Sequence, residues 1–294
     1  MREIIKYHND LNRVKIPLLS EQEHNFFMLI LNSVKDAIEK NEMGKDGLHV
    51  SLHLDVLKNF FSKNLTYQEF DKIVSAFKNK IFKSDFKMLI KEGDLIGTMY
   101  VHLFEYFTVW HRSDAGFVGF ERVDIGISPY FSYLVDELNA NFTRFELAEF
   151  LEIRGQYTKT LYRLLKQFRN TGKMITFSNR WNDFCEIMGI PKDYLPHHID
   201  QRVLKPAIKE LSFKRESPIF KNLTYKKIKD FKQKGKIVGI EFYFTPQKIK
   251  EAEVVKKANK FVVTEKICFD TGAEKSEYLH NKIKARVSAN KQEN

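Results

Sequence analysis

The sequence predicts an α+β fold of two tandem winged-helix domains, each a helix-turn-helix backed by a β-hairpin wing. The order strand, short helix, turn, longer helix and strand pair occurs at 49–110 and again at 174–244. A chain of 294 residues that is 43% apolar also has the size and composition of two domains. We therefore predict domains at 1–140 and 141–246, followed by a basic, partly helical or flexible extension at 247–294.

In the first half, two capping boxes mark the starts of helices. Ser20 and Thr66 are each followed three residues later by a glutamate, which lets hydroxyl and carboxylate satisfy each other's backbone amides. The apolar residues that follow are spaced as on one helix face, and later stretches alternate as strands do. The predicted elements are helices at 20–41, 55–61, 66–81 and 128–139 and strands at 49–52, 86–91, 95–110 and 117–127.

The second half repeats this order of elements. Its best-defined helix, 157–170, has leucines at helical spacing and ends at Gly172. A basic turn that ends at Gly235 joins the last two strands. The other predicted elements are helices at 143–152, from a cap at Ser178 or Asn179 to Gly189, and at 199–211, and strands at 174–177, 223–228 and 237–244.

Charge is distributed unevenly along the chain. Of the formal net charge of +11, residues 1–141 contribute −3, residues 142–246 contribute +10 and residues 247–294 contribute +4. This asymmetry predicts a polyanion-binding surface in the second half. A lysine-rich composition that only keeps the protein soluble is the alternative. Because the excess is local, we favour nucleic acid, and a winged helix is suited to double-stranded DNA.

The 199–211 helix carries the most specific candidate contacts. Ile199, Val203 and Leu211 lie on one side at helical spacing, and the other side is polar. In the major groove Arg matches guanine and Gln matches adenine, whereas Lys suits phosphate or guanine. A solvated basic face is the alternative. Pro206 implies either that the helix is kinked there or that the base-reading part is the segment before it. The predicted DNA contacts are His198, Gln201, Arg202, Lys205 and Lys209.

Three further sets of residues are candidate contacts with the DNA backbone. Basic residues three or four apart on the 157–170 helix suggest a phosphate-binding face, with simple solvation as the alternative. A lysine-rich wing suits backbone or minor-groove contact, although charge also protects an edge strand. The first domain is charge-balanced, so we expect weaker contact there. The sets are Arg154, Lys159, Arg163 and Lys166; Lys226, Lys227, Lys229, Lys232, Lys234 and Lys236; and Tyr67, Gln68 and Lys72.

The sequence offers little support for enzymatic or metal chemistry. It has no G-x-x-x-x-G-K-[ST] loop, its two cysteines cannot form a four-cysteine zinc site, and His197 and His198 are adjacent rather than alternating. We predict no catalytic residues, no metal and no cofactor. Cysteine usage and the lack of a leader-like or membrane-spanning apolar run predict a cytoplasmic protein without membrane contact. A nicking enzyme with a hidden active site and a dedicated transcriptional repressor remain alternatives.

Several stretches resemble the iteron-binding plasmid replication initiators, in particular the theta-type RepB branch of low-GC Gram-positive plasmids. I-I-K-Y-H-N-D-L-N at 4–12 and N-F-F at 25–27 are similar to that branch. R-G-Q-Y-T-K-T-L-Y-R-L-L-K-Q-F at 154–168 resembles the family's signature helix. The stretches 199–211 and 236–244 resemble its recognition helix and final strand. The likeness covers the whole chain before the C-terminal extension.

The resemblance implies a plasmid replication initiator that binds directly repeated sites, called iterons, at an origin. It implies that monomers bind the iterons, help to open the origin and recruit the host initiator and replicative helicase. It implies that dimers, in equilibrium with monomers, repress the initiator's own promoter and so control copy number. The first domain would dimerise and add DNA contact, while the second would read the sequence.

Overall fold

The computed structural model describes residues 3–40, 48–61, 65–84, 86–92, 95–114, 117–128, 131, 134–135, 138, 141–212 and 218–247. Residues up to 84 and residues 102–247 form one compact unit, and the hairpin at 86–101 belongs to a second unit. No helix in these ranges is long and apolar enough to cross a membrane.

The elements follow in chain order. The helices are α1 (Glu21–Glu39), α2 (Leu54–Phe60), α3 (Tyr67–Ile81), α4 (Leu147–Leu151), α5 (Gln156–Gln167), α6 (Trp181–Ile187), α7 (Pro196–Ile199) and α8 (Lys205–Ser212). A π-helical turn, Asp200–Leu204, joins α7 to α8, and Asn9–Arg13 and Phe231–Gln233 are 3₁₀ turns. The strands are β1 (Ile4–His8), β2 (His49–His53), β3 (Phe86–Glu92), β4 (Leu95–Val101), β5 (Phe104–Asp114), β6 (Phe117–Ile127), β7 (Phe142–Glu146), β8 (Lys173–Met174), β9 (Thr224–Asp230) and β10 (Lys236–Tyr243).

Two three-stranded sheets share one topology, and each is the base of a winged helix. In the first half β2, β6 and β5 lie side by side in that order, and in the second half β8, β10 and β9 do. All neighbouring strands are antiparallel. In both halves a short and a longer helix lie between the first strand and the strand pair that forms the wing. The predicted tandem winged-helix fold is therefore confirmed.

The wing of the first half differs from the prediction. The strand expected at 95–110 is two strands, because Leu103 and Phe104 are both buried and successive residues of one strand face opposite sides. β4 pairs with β3, whereas β5 pairs with β6. The wing is therefore the β5–β6 pair, and the β3–β4 hairpin is an insertion between α3 and that wing.

The N-terminal strand lies where no regular element was predicted. β1 pairs antiparallel with β7, with Ile4 opposite Glu146. The helix expected at 143–152 is therefore wrong in its first four residues. Thr143 and Phe145 are buried and the residue between them is exposed, which is the period of a strand.

Smaller differences concern the ends of elements. The strand expected at 174–177 is confined to Lys173–Met174, and the next helix is preceded by Arg180 rather than capped by Ser178 or Asn179. Most of the helix expected at 128–139 lies outside the described residues.

A buried polar network joins the N-terminus to β7 and α5. The Tyr7 hydroxyl donates to Asn12 Oδ1 over 3.1 Å. Asn12 Nδ2 in turn donates to Thr143 Oγ1 over 3.0 Å and to Gln167 Oε1 over 3.1 Å. Buried polar groups of this kind are costly unless they are paired, so the network fixes one arrangement of the three segments. It crosses residue 140, and the domain division there stays a prediction.

Candidate nucleic-acid interface

A continuous helix runs through α7, the π-helical turn and α8, and it is called the 196–212 helix below. The Lys205 amide donates to the Asp200 carbonyl, five residues back instead of four. This wide turn lies directly before Pro206, which lacks an amide hydrogen and would crowd the preceding turn of a regular α-helix. The irregularity inferred from Pro206 is therefore a π-helical turn that lets the helix continue through it.

The 196–212 helix has one buried face and one exposed face, as predicted. Ile199, Val203 and Leu211 are buried, and α8 packs on α5. The exposed side chains are Gln201, Arg202, Lys205 and Lys209, and His198 is half-buried. The helix therefore presents a polar, basic face to solvent, and the contact of that face with DNA stays a prediction.

The first turn of this helix orders two of the candidate contacts. The Leu195 amide donates to His198 Nδ1 over 3.3 Å. Desolvation lowers the pKa of His198, and the neighbouring His197 and Arg202 lower it further. The ring is therefore neutral at pH 7, with its Nε2–H available as a donor. The Arg202 guanidinium lies over the Tyr194 ring, 5.3 Å from the centroid, in a cation–π contact.

Asp200 fastens the wing of the second half to the 196–212 helix. Its carboxylate accepts from the Tyr225 hydroxyl over 2.8 Å and from Lys227 Nζ over 2.7 Å. Lys227 also donates to the Pro196 carbonyl over 3.2 Å. Burial, together with Asp200, raises the pKa of Tyr225 to about 12, so this hydroxyl keeps its proton. Lys227, a predicted DNA contact, thus holds the wing in place.

Sequence reasoning missed Asp200. The available signal was an acid within an otherwise basic helix face, combined with Tyr225 and Lys227 two residues apart on one face of β9. Because 25 residues separate Asp200 from Tyr225, no local pattern joins them.

The tip of this wing is exposed and basic. The exposed lysines are Lys226, Lys229, Lys232, Lys234 and Lys236. Asp230 accepts from the Lys232 amide over 2.9 Å and from the Gln233 side chain over 2.9 Å, so its charge serves the turn. Lys234 and Gly235 complete the turn with φ of 54° and 76°. The wing and the exposed face of the 196–212 helix form the basic surface of the second half.

The phosphate-binding face predicted on α5 is wrong. Lys159, Arg163 and Lys166 are buried, because α5 packs against α1, β7 and α8. Buried side chains cannot reach phosphate in this conformation, and of this set only Arg154, in the turn before α5, is exposed. The sequence itself gives no signal of this burial: the apolar residues at 161, 162, 164, 165 and 168 cover less than half of the helix circumference, as in an ordinary amphipathic helix, and the three basic residues lie on the opposite side.

Two of the buried cations of α5, Lys159 and Lys166, have polar partners in the fold. Lys159 Nζ donates to the Phe150 carbonyl over 2.6 Å and lies 4.2 Å from the centre of that ring. Lys166 Nζ lies 2.8 Å from Glu149 Oε1. Desolvation lowers the pKa of Lys166, which Glu149 opposes, and it also lowers the pKa of Arg163.

In the first half, α3 is the counterpart of the 196–212 helix, and it exposes its predicted contacts among acidic side chains. Tyr67, Gln68 and Lys72 are all exposed. Lys58 lies 4.9 Å from the centre of the Tyr67 ring. Asp71, on the same helix, pairs with a histidine of the neighbouring wing. This surface is close to neutral, in agreement with the weaker contact expected from it.

The fold and this surface define a tandem winged-helix protein with its basic surface in the second half. In the described ranges no three His, Cys, Asp or Glu side chains are grouped so as to hold a metal ion. The family model described as "Initiator Replication protein, WH1" matches residues 4–166, and "Initiator Rep protein, WH2" matches residues 180–244. The chain belongs to this initiator replication protein family, and the resemblance noted in the sequence is confirmed at that level.

Two individual proteins are similar to this chain. It is 25% identical over 213 residues to a "Probable replication protein rep" of Bifidobacterium longum (strain NCC 2705), across 71% of this chain. The match spans 64% of that relative, which is less than two thirds of its length. A crystal structure of the Pi initiator protein in complex with iteron DNA superposes with a TM-score of 0.53 and 16% identity, covering 83% of this chain and 97% of that one. The superposition supports the tandem winged-helix fold.

Proposed function

We propose that this protein is a plasmid replication initiator that binds directly repeated double-stranded DNA sites at an origin. The observation that supports this most is the arrangement around Asp200, which holds a lysine-rich wing beside the exposed face of the 196–212 helix. A helix with Arg and Gln outward suits the major groove, and a basic hairpin suits the flanking backbone. The relative that superposes on the chain is described in complex with iteron DNA.

The division of labour follows from the two surfaces. The second half reads sequence with Gln201, Arg202, Lys205 and Lys209, and the wing lysines position it on phosphate. The first half adds weaker contact through Gln68 and Lys72. In this proposal monomers bind the repeats, help to open the origin and recruit the host initiator and helicase in the cytoplasm.

The proposal also includes a dimer, formed through the first half, that represses the initiator's own promoter. Sedimentation equilibrium of the full chain, with and without a duplex carrying one repeat, tests it. We expect a concentration-dependent monomer–dimer equilibrium that shifts to one protein per repeat when DNA is present. A chain that stays monomeric at every concentration, or a dimer on each single repeat, would contradict this part.

DNase footprinting on the DNA that flanks the gene tests the function itself. An initiator should protect several sites in the same orientation at regular spacing. Protection of one inverted repeat alone would instead identify a dedicated transcriptional repressor, because a two-fold protein mirrors a palindrome.

A nicking enzyme is the second candidate. It requires a nucleophile that leaves a covalent protein–DNA adduct. Denaturing electrophoresis after incubation with origin DNA should yield no adduct, and a tyrosine–DNA adduct would establish the enzyme.

A further inference from the structure

One large apolar side chain is almost fully exposed to solvent. Phe231, at the tip of the β9–β10 wing, is 86% exposed, the highest value among the large apolar side chains that the structure describes. An exposed phenylalanine forgoes the favourable free energy of burying its ring, so the fold gains nothing from it.

The tip holds Phe231 in a defined position. It begins the 3₁₀ turn Phe231–Gln233, and Asp230 before it caps that turn through both carboxylate oxygens. The Gly235 amide closes the loop by donating to the Asp230 carbonyl over 2.9 Å. Because the turn is already ordered, little conformational entropy remains to be lost when the ring meets a ligand.

The residues around Phe231 indicate the chemistry of the ligand that it would contact. Lys229, Lys232 and Lys234 are its close neighbours in sequence, and all three are exposed. An aromatic ring among cations matches a ligand whose anionic groups flank an apolar interior. The minor groove of DNA has this character, since phosphates line it and base edges form its floor, and apolar wedges enter it in other proteins.

The reach of the wing is consistent with that groove. Lys227 is fixed to the 196–212 helix through Asp200, and Phe231 lies four residues farther along the hairpin. At about 3.3 Å per residue the tip lies about 13 Å beyond the anchor. This matches the roughly 12 Å width of the major groove, so a helix seated there leaves the tip at the flanking backbone and the next minor groove.

We propose that Phe231 enters the minor groove beside the site that the 196–212 helix occupies, partly unstacks one base step and bends the DNA. The inference rests on the proposed DNA-binding function. Phe231 thereby adds preference for a deformable pyrimidine–purine step at a position that the helix does not touch. An acidic protein partner is the competing ligand for such a tip, and the experiment distinguishes the two.

The test uses the full chain and a duplex that spans the wild-type footprint in the DNA flanking the gene. Binding is followed by gel shift, the bend by energy transfer between dyes at the duplex ends, and unstacking by 2-aminopurine placed at successive steps. Phe231→Ala is compared with three variants: Phe231→Leu keeps an apolar wedge, Lys232→Ala removes a neighbouring charge, and Ile175→Ala removes an exposed apolar side chain elsewhere in this half.

We expect Phe231→Ala to keep the wild-type melting temperature and salt dependence, to lose the 2-aminopurine signal and to reduce the bend by about 20° or more. Its affinity should fall about five- to ten-fold. Phe231→Leu should retain most of the bend, Lys232→Ala should weaken binding with the bend intact, and Ile175→Ala should behave as wild type.

The outcomes separate the two proposals. If the wild-type chain shows no preference for its footprint over scrambled duplex, the proposed function and this inference both fail. If the wild type binds and bends the duplex and Phe231→Ala does so equally, only this inference fails. Unchanged DNA behaviour then leaves Phe231 to a protein partner.

Discussion

The two halves of this protein share one sheet topology and differ in how their outward charges are used. On the β5–β6 wing, Arg112 pairs with Glu121 over 3.0 Å and Arg122 with Asp124 over 3.2 Å. On the β9–β10 wing, Asp230 caps its own turn, and Glu241 accepts from the hydroxyls of Ser178 and Tyr243. The comparison teaches that a wing presents an excess of positive charge when its acids are bonded within the fold and most of its lysines stay exposed.

The largest effect should come from the matching glycines in the middle strands β6 and β10. A Cβ at Gly239 would overlap the Ser178 carbonyl, which is backbone, whereas a Cβ at Gly126 would meet only the ring of Tyr106. We expect Gly239→Ala to lower the free energy of unfolding by about 3 kcal/mol or more, and Gly126→Ala by about 1 kcal/mol, because that half-exposed ring can move. Denaturant unfolding of the full chain measures both. Equal losses would mean that the Tyr106 ring does not move aside and that the two sheets tolerate an added Cβ equally poorly.

Next in size is the buried cation Lys166. Lys166→Ala should cost about 2–4 kcal/mol, since it opens a cavity and leaves Glu149 without its cationic partner. Lys166→Met, which fills the space, should cost less. Lys209→Ala, an exposed change on α8, should stay within about 0.5 kcal/mol. A Lys166→Ala protein that is as stable as wild type but binds all DNA weakly would restore the phosphate-face hypothesis for α5.

Arg202 should carry the sharpest functional difference between the halves. Arg202→Ala should weaken binding to the specific repeat about ten- to a hundred-fold, since a bidentate guanine contact is worth roughly 1–3 kcal/mol. Binding to random duplex and the melting temperature should change little. Arg202→Lys should not restore affinity, because lysine lacks the planar fork. Gln68→Ala on α3 serves as the matched change, with an expected effect under three-fold. Parallel losses on specific and random DNA would make Arg202 a phosphate contact.

The smallest effect concerns salt. If about 6–10 phosphates are neutralised, the slope of log K against log[salt] should be about −5 to −9. Lys229→Ala should make the slope shallower by about one, whereas Lys72→Ala should change it by clearly less. Titrations at four salt concentrations are sufficient. A wild-type slope shallower than about −2 would remove the electrostatic basis of the comparison.

The features that the sequence predicted correctly are those that depend on residues close together in the chain. Both capping boxes form as expected, with the Glu23 and Thr66 amides bonded to their partners' side chains. The prediction that Val203 lies on the buried face of its helix is confirmed. It could be made because apolar residues at helical spacing mark the buried face. β1 escaped notice because its partner β7 lies more than 130 residues away and pairs through backbone groups that carry no sequence signal.

The exposed residues of the candidate site were predictable from the sequence, but the residues that hold them in place were not. Arg202 and Lys209 follow from helical periodicity, which fixes their side of the helix. The burial of Lys159 depends on what packs over α5, and the sequence alone does not show whether a lysine faces water or, as here, the Phe150 ring. Asp200 belongs to the same class, since its role appears only when β9 lies beside it.

The pairing of β1 with β7 also bears on how the protein is made. At about 5–20 residues per second, the ribosome needs roughly 7–28 s to proceed from the codon of Ile4 to that of Glu146. Throughout that interval Ile5 and Tyr7 have no strand to pair with, and the Asn12 network lacks its acceptors on β7 and α5. The nascent chain must therefore carry an unpaired apolar N-terminus past its first complete sheet. Contacts between residues so distant in sequence form late, so the first half completes its fold only when the second has begun to emerge.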